Sequence, residues 1–163
     1  MEYITAYEIE NNFFPYYILI PELLLIIFGF LAYKSIKLKY NKILSVLLSI
    51  ITILSTTLCI TSIYEFYNVK TNIVESYFAG EYLTVEGKIE SFDPLSLNGN
   101  GTESFEVNGI EFRYSDSALN YIGYKTTSVE GGVITNNGQK VRIRYVYNDT
   151  YDMNIILKLD VEK

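Results

Sequence analysis

The 163-residue chain contains no histidine and only one cysteine, Cys59. Histidine is the commonest general base and metal ligand near neutral pH, so its absence excludes Ser-His-Asp triads. Zinc sites built from cysteine and histidine are excluded as well, and a single cysteine forms no intramolecular disulfide. We therefore predict that the chain is not an enzyme and that it has no metal or cofactor site.

Basic residues are absent from the start of the chain. The first 16 residues hold Glu2, Glu8 and Glu10 but neither lysine nor arginine. A cleavable signal peptide begins with basic residues and ends at a small-residue cleavage site, and the sequence has neither feature. We expect the first apolar segment to persist in the mature protein, preceded by a short tail of residues 1–15.

Two long apolar segments dominate the first third of the chain. They cover residues 16–33 and 43–63, which are 18 and 21 residues long. Each is about long enough to cross the roughly 30 Å hydrocarbon layer as a helix. The loop of residues 34–42 between them has four lysines and no acidic residue, and the positive-inside rule places such a loop in the cytoplasm. The sequence predicts a two-pass hairpin in the bacterial cytoplasmic membrane, with both termini and the C-terminal domain extracytoplasmic.

Small and hydroxylated residues recur along the second apolar segment at spacings of three and four, which places them on one helix face. Such residues let membrane helices approach closely. We predict a helix-packing seam formed by Ser45, Ser49, Thr52, Thr56 and Cys59 together with Gly29 and Glu22 of the first segment.

This seam has several interpretations. It packs within the hairpin, or it joins two copies as a homo-oligomer, or its hydroxyls bond only to carbonyls of their own helix. Glu22 is either a proton or ion site or the cap of a helix whose first turn is opened by Pro21.

The C-terminal part of the chain is acidic. Residues 64–163 carry nine lysines and arginines against fifteen aspartates and glutamates, which argues against nucleic acid as a partner. Residues 64–80 keep a helical spacing up to Gly80, and we predict a juxtamembrane helix or connector there. A β domain of residues 81–163 follows.

Four segments of the C-terminal part show the patterns of strands, and the second of them is a hairpin of two strands. Tyr82–Phe92 alternates apolar and polar residues, and Gly87 within it predicts a bulge or sharp coil. The dipeptide Asn108-Gly109 predicts a type I′ turn between two strands, with Val107 opposite Ile110. Alternation returns in residues 140–147 and 154–162.

Between the second and third of these segments, Ser115-Asp116 is a candidate cap for a short helix that ends at Gly123. The order of one strand, a hairpin, a short helix and two strands is that of a five-stranded OB-like β-barrel. We therefore predict an α+β membrane protein in which a transmembrane hairpin precedes such a barrel. An open sheet or a small sandwich is the alternative.

Several strings in this part of the chain carry a family resemblance. They include Val85-Glu86-Gly87-Lys88-Ile89, Ser104-Phe105-Glu106-Val107-Asn108-Gly109 and Val141-Arg142-Ile143-Arg144-Tyr145. In these strings the chain resembles a group of small bacterial membrane proteins over roughly residues 82–161. The resemblance implies a bacterial origin and a discrete domain, and it transfers no functional residues because the group has no established activity.

Tyrosines are dense in the C-terminal part, and OB-like barrels often bind polymers with aromatic rings. Tyr121 and Tyr124, with Asp116, are the candidate ligand contacts, and a glycan or peptide of the cell envelope suits them best. We expect a membrane-anchored, non-catalytic binding or interaction module of unknown ligand. The alternative is an immunity or membrane-complex assembly protein that acts through its hairpin.

Overall fold

A computed structural model describes residues 2–11, 14, 16–94, 102–116, 122–149 and 152–163, with only the backbone of Tyr17. The described residues form two compact units. One unit, which we call the helical hairpin, is Phe14–Asn72. The other, which we call the β domain, joins the described residues before Phe14 to those from Ile73 onward.

The helical hairpin consists of two long helices. A 3-10 turn at Tyr16–Ile18 leads into α1, Leu19–Lys37, and α2 spans Lys42–Val69. The side chain of Asn41 caps α2 by accepting a hydrogen bond of 2.9 Å from the Ile43 amide. Both helices are long and apolar enough to cross a membrane.

The helix that begins at α2 continues past the end of the hairpin unit. Lys70–Glu75 winds as a π-helix and Ser76–Phe78, α3, as a last α-helical turn. Helical backbone therefore extends over the residues for which the sequence predicted a helix or connector, and it ends just before Gly80.

The β domain is built on a six-stranded, fully antiparallel sheet in the order β1-β6-β5-β2-β3-β4. The strands are β1 Tyr3–Glu8, β2 Leu83–Asp93, β3 Glu103–Val107, β4 Ile110–Tyr114, β5 Lys140–Asn148 and β6 Met153–Glu162.

The predicted β3–β4 hairpin is confirmed in its register. Val107 pairs with Ile110, Phe105 with Phe112, and Glu106 with Glu111. Asn108 and Gly109 both have positive φ, 50° and 77°, as a type I′ turn requires. The side chains of Phe105, Val107, Phe112 and Tyr114 are fully buried, and Ile110 is half-buried.

The long strand β2 pairs with two neighbours, and Gly87 does not form the predicted bulge. Leu83–Lys88 pairs with β5 without a break, and Ile89–Asp93 pairs with β3. The irregularity lies later, between Glu90 and Asp93, where Ser91 has a φ of 51°. Gly87 is needed for a different reason: a Cβ there would lie 2.8 Å from Asn108 Oδ1, so only glycine lets the hairpin turn approach.

The predicted five-stranded barrel is wrong in two respects, because the sheet has six strands and remains open. Closure would require a ladder between β4 and β6, and the described strands have none. Instead β1 pairs along Lys158–Glu162 of β6 and occupies much of the edge that β4 would need. A side-chain bond of 2.9 Å from Asn154 Nδ2 to the Glu111 carbonyl joins β4 to the start of β6.

The core lies on one face of this sheet. Its buried members are Val85, Ile89, Phe105, Val107, Phe112, Tyr114, Tyr124, Ile134, Val141, Ile143, Tyr145, Ile156 and Leu159. Tyr114 and Tyr145 belong to this core. The short helix predicted from Ser115 to Gly123 lies mostly outside the described residues.

Candidate functional site

Tyr124, one of the two tyrosines predicted to contact a ligand, is buried in the β domain. Tyr124 has only 4% of its surface exposed, and its ring packs edge-on against Tyr114 and Tyr7 at centroid distances of 5.2 and 5.7 Å. Its hydroxyl accepts a 3.0 Å hydrogen bond from the Val133 amide, and burial raises its pKa. Tyr124 is therefore a core residue and not a surface contact. Tyr121 lies outside the described residues.

Asp116 lies beside an open depression in the β domain. The depression has a volume of about 430 Å³ and is lined by Asp116, Lys125, Thr126 and Glu130. Asp116 Oδ2 accepts a 3.2 Å hydrogen bond from Thr127 Oγ1, which holds the carboxylate at the rim. Val129, which lies between Thr126 and Glu130 in the sequence, is 62% exposed. Carboxylates, an amine, a hydroxyl and an apolar side chain are thus presented together.

The depression presents two carboxylates beside one amine. Within the described ranges, no group of three carboxylate, cysteine or histidine side chains is placed to hold a metal ion. The mixture of one amine with two carboxylates suits polar, hydrogen-bonding ligands instead.

In the helical hairpin, small residues of α1 face small residues of α2. A Cβ added to Gly29 would lie 4.0 Å from Thr52 Cγ2, so these two predicted seam residues face each other. Glu22 lies seven residues before Gly29 on the same face of α1, and it is half-buried. Ser45, Ser49 and Cys59 on α2 are half-buried as well.

The seam departs from the prediction at one position and extends further than predicted. Thr56 is exposed, and Ser55 is buried in its place with 5% of its surface accessible. Ser35 of α1 is 1% exposed and shares a 2.7 Å hydrogen bond with Ser45 between the two hydroxyls. Ser35 was not predicted as a seam residue because the predicted apolar segment ends at Tyr33, two residues earlier.

Most hydroxyls on α2 bond to carbonyls of their own helix. Ser49 donates to the Ser45 carbonyl, and Thr52 to that of Leu48, each over 2.8 Å. Thr56 in turn donates to the Thr52 carbonyl over 2.8 Å. Among the described side chains of the hairpin, the Ser35–Ser45 pair bonds from one helix to the other, whereas these three hydroxyls bond within α2.

A feature that the sequence did not reveal is the attachment of β1 to the rest of the β domain, which we call the β1 anchor. Thr5 Oγ1 donates to Asp160 Oδ1 over 2.7 Å, and the Ile9 amide donates to the Leu157 carbonyl over 2.8 Å. The Tyr7 ring packs against the core. These contacts make the N-terminal strand an integral part of the domain.

Glu8 is the most connected member of the β1 anchor. Its carboxylate accepts hydrogen bonds from Lys158 Nζ at 2.9 Å and from the Tyr77 hydroxyl at 2.6 Å. These two bonds hold the pKa of Glu8 below its usual value. Burial, followed by the bond to Glu8, raises the pKa of Tyr77 to about 12. The carboxylate thus links residues that precede α1 to residues that follow α2 in the sequence.

The sheet face opposite the core carries charged side chains that are paired with one another. Asp160, 4% exposed, accepts from Arg142 Nε at 3.3 Å as well as from Thr5. The Arg142 guanidinium lies 4.5 Å from the Tyr3 ring centroid, and that of Arg144 lies 5.1 Å from Tyr82. Because these charges already have partners, this face is a poor place for a ligand.

No protein-family model matches the chain, and neither the curated proteins nor the solved structures compared with it gave a significant match. The class defined by fold and sequence pattern is therefore an α+β protein with two helices able to span a membrane and a six-stranded open sheet.

Proposed function

We propose that this is a two-span protein of the bacterial cytoplasmic membrane that displays its β domain on the extracytoplasmic side as a non-catalytic binding module. The observation that carries the proposal is the pairing of β1 with β6. β1 precedes both apolar helices and β6 follows them, so one sheet contains residues from either end of the hairpin. If both helices cross the membrane, the chain returns to the side from which it started. β1 and β6 then lie on the same side, as their pairing in one sheet requires.

The surfaces of the two helices support insertion in lipid. Only 11% and 6% of their most apolar stretches are buried in the protein. Large side chains such as Ile26 and Ile43 are 69% and 70% exposed, which would be costly in water. The lysines between the helices support a cytoplasmic loop and an extracytoplasmic β domain.

The open depression around Asp116 is the best candidate for ligand contact. Its lining residues are exposed or half-exposed and, apart from Asp116, have no structural task that the described contacts reveal. A peptide or glycan of the cell envelope fits its mixture of donors, acceptors and nearby apolar surface.

Capture experiments test this binding role. The detergent-solubilised full chain is expected to enrich envelope proteins or glycan fragments, and Lys125→Ala with Glu130→Ala to reduce that enrichment about tenfold, the effect of roughly 1.4 kcal/mol. The matched control is Lys88→Ala with Glu90→Ala, which removes the same two charges from exposed positions of β2. Equal enrichment by both double variants would contradict a site at the depression.

The alternative is an immunity or membrane-complex assembly protein that acts through the hairpin. The exposure of Thr56 favours it, because a small residue remains available on the outer surface of α2. Under our proposal, Thr56→Leu leaves ligand capture and hairpin stability unchanged.

By contrast, Thr52→Leu is expected to weaken the packing of α1 on α2 by about 1–3 kcal/mol, because the added bulk meets Gly29. Unfolding of the detergent-solubilised protein by denaturant measures both variants. If Thr56→Leu abolished protection of the cell or assembly of the membrane complex while capture by the β domain stayed intact, the hairpin alternative would be favoured.

A further inference from the structure

The turn between α1 and α2 gathers four lysines at one end of the helical hairpin. All four are exposed, and they are Lys34, Lys37, Lys39 and Lys42. The bond between the Ser35 and Ser45 hydroxyls closes the hairpin beside them, so the two helix ends that carry the lysines stay together. We call this group the lysine turn.

Nothing acidic accompanies these charges. The sequence has no aspartate or glutamate between Glu22 and Glu65. Among the described residues, none of the ion pairs includes a lysine of this turn, and the only recorded partner of their charges is the Tyr33 ring, 5.6 Å from Lys37 Nζ. Four positive charges are therefore available to an external anion.

The backbone shows that one of these lysines occupies a position better suited to glycine. At the end of α1 the Tyr40 amide donates to the Ser35 carbonyl and the Lys39 amide to that of Ile36, over 3.0 and 3.2 Å. This is a Schellman motif, and it requires a left-handed residue, here Lys39 with a φ of 52°.

The chain ends its other long helical segment with the same motif. There the Glu81 and Gly80 amides donate to the carbonyls of Ser76 and Tyr77, and the left-handed residue is Gly80 with a φ of 87°. A left-handed lysine is strained where glycine is not. Lys39 therefore places a fourth positive charge at a position where glycine would form the same turn with less strain.

We infer that the lysine turn binds the headgroups of anionic phospholipids. This rests on the proposed function, which places the turn at the cytoplasmic surface of the membrane, where anionic headgroups attract clustered lysines. Tyr33 and Tyr40, which are 60% and 50% exposed, flank the turn with the amphipathic rings typical of the interface. The ligand is thus a lipid phosphate and not a soluble polyanion.

Native mass spectrometry of the detergent-solubilised full chain, with phosphatidylglycerol or phosphatidylcholine added, tests this inference. We expect phosphatidylglycerol to be retained about tenfold more than phosphatidylcholine. Changing all four lysines of the turn to glutamine is expected to abolish this preference, and changing all four to arginine to keep it. The matched control changes four exposed lysines elsewhere to glutamine: Lys70, Lys88, Lys125 and Lys163.

Lys39→Gly separates charge from turn geometry. It is expected to raise the unfolding temperature, because glycine removes the strain, and to lower retention of phosphatidylglycerol, because one charge is lost. If Lys39 only formed the turn, the variant would retain as much phosphatidylglycerol as the unchanged chain. The inference is overturned if both lipids are retained equally, if the control variant loses the preference as fully as the lysine-turn variant, or if inorganic phosphate at equal concentration displaces the lipid. Extraction of the protein from membranes by alkaline carbonate would instead overturn the proposed function itself.

Discussion

Replacing β1 by a glycine-serine segment of equal length is expected to unfold the β domain. The replacement weakens the ladder with β6, because glycine and serine favour a strand less than the native residues, and it removes the Thr5 and Glu8 side chains with their bonds to Asp160, Tyr77 and Lys158. It also removes the Tyr7 ring from the core, and loss of an aromatic side chain from a packed site costs roughly 3 kcal/mol. Domains of this size have a free energy of unfolding of only about 5–15 kcal/mol, so the combined loss approaches the entire stability of the domain.

Resistance of the β domain to protease, in the detergent-solubilised full chain, measures this effect. The matched control changes only the exposed positions of β1, Ile4→Ser with Ala6→Ser, and keeps Thr5, Tyr7 and Glu8. Ala6 lies at the irregularity of the β1–β6 register, so we expect this control to retain resistance. If the glycine-serine variant were as resistant as the control, β1 would be an appendage and not part of the domain.

Local patterns predicted the parts of the fold that depend on neighbouring residues. The Asn108-Gly109 turn fixes the pairing of Phe105 with Phe112 because a two-residue loop allows one register. The last two strands also lie within one residue of the predicted ranges at each end, Lys140–Asn148 and Met153–Glu162.

The parts that failed depend on contacts between distant residues. Tyr3–Glu8 has the β-branched and aromatic composition of a strand, but it is short, and its partner is about 150 residues away in the sequence. A five-strand count followed from overlooking it, and the open sheet follows from its place on β6.

Candidate site residues show the same division. Helix periodicity alone determines a face, and the structure places Gly29 and Thr52, two residues assigned to the seam by their spacing, opposite each other. The spacing did not distinguish Ser55 from Thr56, because adjacent residues differ by only 100° around a helix. Tyr124 follows no strand pattern, and nothing in its neighbourhood in the sequence indicated that the loop turns inward to bury its ring.

A disulfide between β1 and β6 is expected to form spontaneously in intact cells. Ile4 and Val161 are direct partners in the ladder, and Cα atoms of such pairs lie about 4.5–5.5 Å apart, within reach of a disulfide. In a chain with Cys59→Ser, the variants Ile4→Cys and Val161→Cys together place both thiols on the side where disulfides persist, if the β domain is extracytoplasmic. Non-reducing electrophoresis is expected to show nearly complete intramolecular crosslinking without added oxidant.

The control pair is Ile4→Cys with Lys88→Cys, because β1 and β2 are separated by two strands and lie about 14 Å apart, which no disulfide spans. A thiol placed in the lysine turn by Leu38→Cys is expected to resist a membrane-impermeant maleimide, while Lys88→Cys reacts. If the Ile4–Val161 pair stayed reduced in cells and closed only after lysis with an oxidant, the sheet would be right and the side of the membrane wrong. If the disulfide failed to form under both conditions, the pairing of β1 with β6 would itself be refuted. The proposal that both chain ends lie on the same side of the membrane would then lose its support.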